Sequence, residues 1–229
     1  MLPRAVPNNV KAPSAAVSVP DPAAYIRARL KLGAIPALPG LRLYLGQPES
    51  GLGRFTAEHN DGRPPYWAYP WSGGLALAQH LCAHPDKVQG KRVLDLGAGG
   101  GVVAITAAQA GAAQVTAADI DPAAAAALAL NAEANAVEIS IITDDLLPGD
   151  PPDVDLVLVG DLFYAADLAA GTTHFLARCR AAGIEVLVGD PGRPDLPNDR
   201  LTLVARYDVP EVGSPRNTAA TAAAVYAFD

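Results

Sequence analysis

An open α/β sheet with helices on both faces is the fold the sequence predicts, and two observations carry that expectation. First, Arg92–Asp121 reads as an apolar strand, a Gly-Ala-Gly-Gly-Gly turn, an alanine-rich helix, a second apolar strand and an acid. That order is half of a Rossmann-like β-α-β unit, with Gly97 and Asp119 twenty-two residues apart. Second, short apolar runs alternate with helical patterns along the chain, giving about seven strands, the last two reading as an antiparallel pair. Size agrees: 229 residues, half of them hydrophobic, suffice for one large domain or a domain with an extension.

In chain order, residues 1–20 are rich in proline and small residues and read as a flexible arm. Asp21-Pro22 opens a helix expected to stop near Gly33, with Asp as N-cap and Pro in the first turn. Leu41–Leu45 reads as a strand, Gly46–Gly53 as a loop, and Phe55–Gly74 as an irregular segment dense in aromatic rings and prolines. A helix is expected from Ser72 to Leu81. Strands are expected at Arg92–Leu96, Gln114–Ala118, Glu138–Ile142, Asp155–Val159 and Ile184–Val188, with Leu201–Tyr207 and Ala222–Phe228 as the closing pair. Helices are expected over Gly101–Gln109, from Pro122 to about Asn135, and around Thr172–Arg180. The resulting segments are the arm over 1–20, a helical and aromatic-loop extension over 21–74, and the α/β domain over 75–229.

Composition narrows the function. A net charge of −7 argues against a broad nucleic-acid footprint. Cys82 and Cys179 are far apart and read as two buried small hydrophobes, not as a disulfide or zinc ligands. His80 and His84 share a helix face, but with Asp86 past a proline they read as exposed or helix-terminal histidines and not as a metal site. No leader or membrane span is expected: the first twenty residues hold no apolar run, and acids and Asn131 interrupt 117–134. A cytoplasmic monomer is the expected state.

Acids close successive strands at Asp119, at Asp144 or Asp145, and at Asp161, which marks one cleft at the carboxyl edge of the sheet. Asp95, just before the glycine turn, would repel a pyrophosphate but suits an ammonium or a bound water. A sulfonium cofactor without phosphate therefore fits better than a dinucleotide. VLDLGAGGG followed by AADIDP resembles class I, seven-β-strand methyltransferases that use S-adenosylmethionine. PYWAYPWSGGLAL, NAEAN, the GDLFY block at Gly160–Tyr164 and LVGDPGR at Leu187–Arg193 resemble, more narrowly, the lysine methyltransferases of the electron transfer flavoprotein β subunit.

The resemblance implies that Gly97, Gly99 and Gly101 form the cofactor loop, with Asp95 near the cofactor's amino group. It implies Asp119 on the ribose hydroxyls, Ile120 on adenine, Asp144 near the adenine amino group and Trp71 on the cofactor side. Gly100 stands where the family often has a bulkier residue and is expected to add only loop flexibility. Asp161 and Tyr164 fall in the acid-x-x-aromatic motif where the target lysine enters, and Trp67 and Tyr164 are expected to wall its alkyl stem. Methylation of a small molecule or of a ribosomal protein, a cofactor-binding scaffold, and a nicotinamide oxidoreductase are the alternatives.

Overall fold

In the computed structural model, Asp21 caps α1 (Pro22–Arg29): its carboxylate accepts the Ala24 N–H, and Pro22 fills the first helical position. The structure describes residues 21–59, 63–210 and 220–229, so the expected arm lies outside it. α1 stops earlier than expected. Lys31–Ile35 forms β1, antiparallel to β2 (Leu38–Leu45), because the hairpin buries Ile35, Leu38, Leu41 and Leu43 together. The expected loop over Gly46–Gly53 holds a short 3-10 turn and then starts α2 (Leu52–His59). Leu52 and Phe55, three apart on one helix face, are both buried, and Phe55 stacks on Tyr25 of α1 at 4.1 Å. That packing outweighs the poor helix propensity of Gly53.

α3 (Ser72–Ala83) runs through the segment boundary expected after Gly74. The remaining order is β3 (Arg92–Leu96), α4 (Val102–Gln109), β4 (Gln114–Ala118), α5 (Pro122–Ala134), β5 (Ser140–Ile142), β6 (Leu156–Gly160), α6 (Ala166–Ala181), β7 (Glu185–Asp190), β8 (Leu201–Pro210) and β9 (Ala220–Phe228). Among the described residues the large sheet has seven strands in the order β5-β4-β3-β6-β7-β9-β8. The first five are parallel, and β9 and β8 are antiparallel, as expected.

Both faces of the central strands are buried, which is why they read as continuous apolar runs. Val93, Leu156 and Leu158 pack toward Leu75, Leu77 and Leu81 of α3 and Ile105 of α4. The alternate residues Leu94, Leu96, Val157 and Val159 pack toward Phe175, Leu176 and Cys179 of α6. A third cluster joins α1 and α2 to Ala123, Ala127 and Leu130 of α5.

The hairpin is stitched to α5 by the two asparagines of NAEAN. Asn131 accepts the Tyr44 N–H at 2.7 Å, and Asn135 accepts the Arg42 N–H at 3.0 Å. His80 departs from expectation: it is buried, with Nδ1 2.9 Å from the Tyr207 hydroxyl of β8, while His84 is exposed. Cys82 is likewise exposed, and only Cys179 is buried. Among the described residues no cluster of three or more metal-ligating groups occurs, and no helix is long and apolar enough to cross a membrane.

Candidate active site

Strand order reverses direction between β3 and β6, and the space beyond their carboxyl ends is where such sheets take ligands. The glycine turn after β3 lies there. Gly97, Gly99 and Gly101 have φ of +71°, +52° and +86°, a region that costs a glycine little and other residues more. Gly100 corrects the expectation of a merely flexible position: a Cβ there would stand 2.7 Å from the Trp67 carbonyl oxygen. Its own carbonyl accepts the Asn131 side-chain N–H at 2.8 Å, so α5 and the segment before α3 clamp the turn from both sides.

Two carboxylates hold this turn. Asp119, at the tip of β4, accepts the Gly99 N–H at 2.8 Å and the Asp121 N–H at 3.0 Å. Burial pushes it above the usual carboxylate range, against those two hydrogen bonds. Asp95 is 1% exposed and accepts the Ala104 N–H in the first turn of α4 at 2.9 Å. Burial, with Asp119 nearby, pushes it up to about 7.

A cleft of about 640 Å³ opens above the turn, well within the range of small-molecule sites. All the expected site residues line it except Gly101, which sits beneath as the residue before α4. Ile120 is 55% exposed at its rim and offers an apolar surface to the cleft. Asp144 is exposed nearby.

Asp161 sits at the end of β6 with φ +62°, a conformation rare for a non-glycine residue. It is nearly buried, and both oxygens are engaged. Oδ2 accepts the Gly74 N–H at 2.6 Å, and Oδ1 accepts from Arg193 Nη1 at 2.7 Å. The same Nη1 donates to Asp190 Oδ2 at 2.8 Å. Burial raises Asp161 above the usual carboxylate range while Arg193 and the α3 amides pull the other way. Glycines make this possible. A Cβ on Gly73 would lie 2.2 Å from the Gly189 carbonyl oxygen, and one on Gly160 would lie 3.0 Å from the Gly74 Cα, so the start of α3 rests directly on β6 and β7.

The aromatic expectation needs one correction. Trp67 is 3% exposed and packs edge-on against Phe55 with ring centroids 6.2 Å apart, so its ring belongs to the core; its backbone borders the glycine turn. The exposed rings at the mouth are Tyr66 and Tyr164, 5.2 Å apart, with Trp71 at 5.8 Å from Tyr66. Trp71 is fixed by its indole N–H donating to the Tyr66 carbonyl at 2.8 Å.

Arg193, Tyr66, Gly73, Gly74 and Asn131 are the site residues that sequence reasoning assigned no role. For Arg193 the link to Asp161 comes from strand pairing and not from any local sequence pattern. Gly160-Asp161 and Gly189-Asp190 are twin strand ends in register, and the arginine follows the second by three residues.

The residues fit S-adenosylmethionine by their chemistry. The turn offers backbone with no side chain in the way, a buried carboxylate stands ready for an ammonium, an acid at the next strand tip suits a diol, and the rim is apolar. The cleft has acids where a dinucleotide would need phosphate-binding donors.

Comparison with known proteins bears on the family. The ribosomal protein L11 methyltransferase (PrmA) family model matches residues 79–161. The chain is 41% identical over 170 residues to the electron transfer flavoprotein beta subunit lysine methyltransferase of Rattus norvegicus, covering 72% of this chain and 67% of that protein. With the Xenopus laevis enzyme of the same name it is 35% identical over 214 residues, covering 91% of this chain and 87% of that protein. The chain belongs to the electron transfer flavoprotein β-subunit lysine methyltransferase family. Its fold is shared with magnesium protoporphyrin IX methyltransferase from Synechocystis PCC 6803, a structure with S-adenosylmethionine bound. There the TM-score is 0.50 at 18% identity, covering 68% of this chain and 78% of that one. Membership in this lysine methyltransferase family accounts for the blocks flanking the glycine turn.

Proposed function

We propose that the chain transfers a methyl group from S-adenosylmethionine to a lysine of the electron transfer flavoprotein β subunit. The observation that carries this reading is a single cleft with two different ends. One end is the glycine turn with Asp95 and Asp119; the other is a mouth of exposed tyrosines above Asp161.

The bound cofactor supplies an electrophilic methyl on a positively charged sulfur. The work of this chain's residues is positioning. Asp119 has lone pairs left to accept both ribose hydroxyls, Ile120 covers one face of the adenine, and Asp144 lies toward the adenine amino group. Asp95 accepts the ammonium of the methionine part, whose charge draws the buried carboxyl back to its ionised form. On the other side, Tyr66 and Tyr164 offer ring faces to a lysine stem and to its cationic end, while Trp71, fixed on Tyr66, stays on the cofactor side.

A lysine is protonated at neutral pH, with a reference pKa near 10.4, so it gives a proton to water before attack. Its nitrogen lone pair then forms the new N–C bond as the C–S bond breaks, and the electrons of that bond stay on sulfur. Asp161 attracts and orients the amine. It is not a strong general base, because both its oxygens are already engaged by the Gly74 N–H and Arg193. Most of the rate gain is assigned to holding nitrogen, methyl and sulfur in line.

The electron transfer flavoprotein reading is preferred over a ribosomal substrate because similarity to the flavoprotein methyltransferases spans most of the chain. The match to ribosomal protein L11 methyltransferase of Geobacter sulfurreducens covers 51% of it. Incubating the chain with radiolabelled cofactor and a lysate, then mapping the labelled peptide, tests the proposal. Label on a lysine of the β subunit supports it, and label confined to small metabolites overturns it.

A further inference from the structure

Strand register explains an unusual charge group. β6 and β7 are parallel with Gly160 opposite Gly189, so the next residues, Asp161 and Asp190, emerge side by side at the carboxyl edge. Two adjacent carboxylates withdrawn from water repel each other unless a cation intervenes. Arg193 is that cation. Its side chain is only 20% exposed, and one nitrogen, Nη1, reaches both acids. Asp190 is fully buried and also builds the turn that delivers the arginine, accepting the Gly192 and Arg193 N–H groups at 2.8 Å each.

We infer that Arg193 is a positioning residue for methyl transfer: it locks Asp161 in place and offsets its charge, so that lysine is attracted as a cation yet can leave the site's pull as a neutral amine. This rests on the lysine-methyltransferase reading. The physical argument is a balance. Two carboxylates and one guanidinium leave one net negative charge, enough to draw an ammonium toward the cleft. Without the guanidinium, the incoming ammonium itself becomes the cation that lets both acids ionise, so the pair holds it in its protonated, unreactive form. The nucleophile needs its lone pair, so tighter binding of the protonated state is lost rate. The groups nearest Asp161 are Arg193 and Asp190 from the turn after β7, the Gly73 and Gly74 amides of α3, and Tyr164 in its own loop; Arg63, Asp95, Asp119, Asp121, Asp144 and Asp145 are the other charged groups lining the cleft.

A purely structural staple would behave differently. Its removal would lower stability and turnover at every pH alike. The test is therefore the pH dependence of kcat for Arg193→Gln and Arg193→Lys, with cofactor affinity and Tm measured on each. For Arg193→Gln the rising limb of kcat should move alkaline by about 1 pH unit or more, because the incoming ammonium loses a like charge near the acids that attract it. KM for the protein acceptor should stay level or fall. Arg193→Lys keeps the charge and should leave the limb near its original position, even if kcat drops through poorer geometry. An unshifted limb in Arg193→Gln overturns the inference. If that variant does not fold, a limb in Arg193→Lys displaced by more than about 1 unit overturns it instead, because charge would then not be what matters. Absence of lysine methylation by the unaltered chain sinks both this inference and the functional reading; methylation with an unshifted limb sinks only this one.

Discussion

Replacing Gly73 with alanine puts the close approach of α3 to β7 under test. A Cβ at this position would lie 2.2 Å from the Gly189 carbonyl oxygen, 2.7 Å from its carbonyl carbon and 2.8 Å from Asp161 Oδ2. Ordinary contact begins at 3.4 Å, so α3 and β7 must part by about 1.2 Å, because the two nearest obstacles are backbone atoms of Gly189. Alanine gains up to about 1 kcal/mol over glycine in helix propensity. Against that stands overpacking at about 1–3 kcal/mol. Moving α3 also strips the Gly74 N–H from the nearly buried Asp161, another 1–3 kcal/mol or so. The cost wins, by about 1–5 kcal/mol. Gly53→Ala in α2, with nothing within 4 Å of the new Cβ, serves as the control and should gain about 0.4–1 kcal/mol. Urea unfolding of the three proteins is the assay. A Gly73→Ala variant as stable as the original would refute the close-packing argument for how Asp161 is held.

Asp119→Ala removes the acceptor for two ribose hydroxyls and the anchor of the Gly99 N–H, so calorimetry should find S-adenosylhomocysteine bound on the order of 100-fold more weakly. Unchanged affinity would remove Asp119 from the cofactor site. Asp95→Asn addresses the buried acid. Burial holds Asp95 near about 7, against an ordinary 3.8, so the folded state keeps a proton that the unfolded chain gives up. Stability of the cofactor-free protein should then fall as pH rises from about 4 to about 7, by as much as about 4 kcal/mol from this group. The asparagine variant should lack that component and exceed the original most above pH 7; parallel stability curves for the two would contradict it.

Much of the fold was legible because its signals are local. Glycines at 97, 99 and 101 in a sequence flanked by strand and helix patterns leave few conformations beyond a tight turn, and all three have left-handed φ. Fully buried parallel strands announce themselves as apolar runs bounded by acids. The hairpin after α1 was hidden because Arg29–Ile35 alternates in a way that suits a helix end or a strand. Only burial of Ile35 and Leu38 against the main core decides between them. α2 was hidden behind Gly51 and Gly53, whose local preference yields to the packing of Phe55 on Tyr25.

At the site, acids were readable by their place at strand ends, but their partners were not. Nothing local says that Arg193 lies on Asp161, thirty-two residues away, or that Gly100 faces the Trp67 carbonyl. The two tryptophans are similar in sequence context and opposite in placement. Phe55 draws the ring of Trp67 into the core, while Trp71 stays with Tyr66 at the mouth. Such choices depend on tertiary neighbours, which periodicity does not encode.

The most direct test of the proposed reaction is peptide mapping by mass spectrometry of purified electron transfer flavoprotein after incubation with this chain and S-adenosylmethionine, alongside Asp161→Ala. The expected result is methyl groups on a lysine of the β subunit with the unaltered chain, and loss of most of that turnover in the variant while cofactor affinity persists. No methylated lysine on the β subunit, or equal methylation by Asp161→Ala, would contradict the proposed use of the cleft.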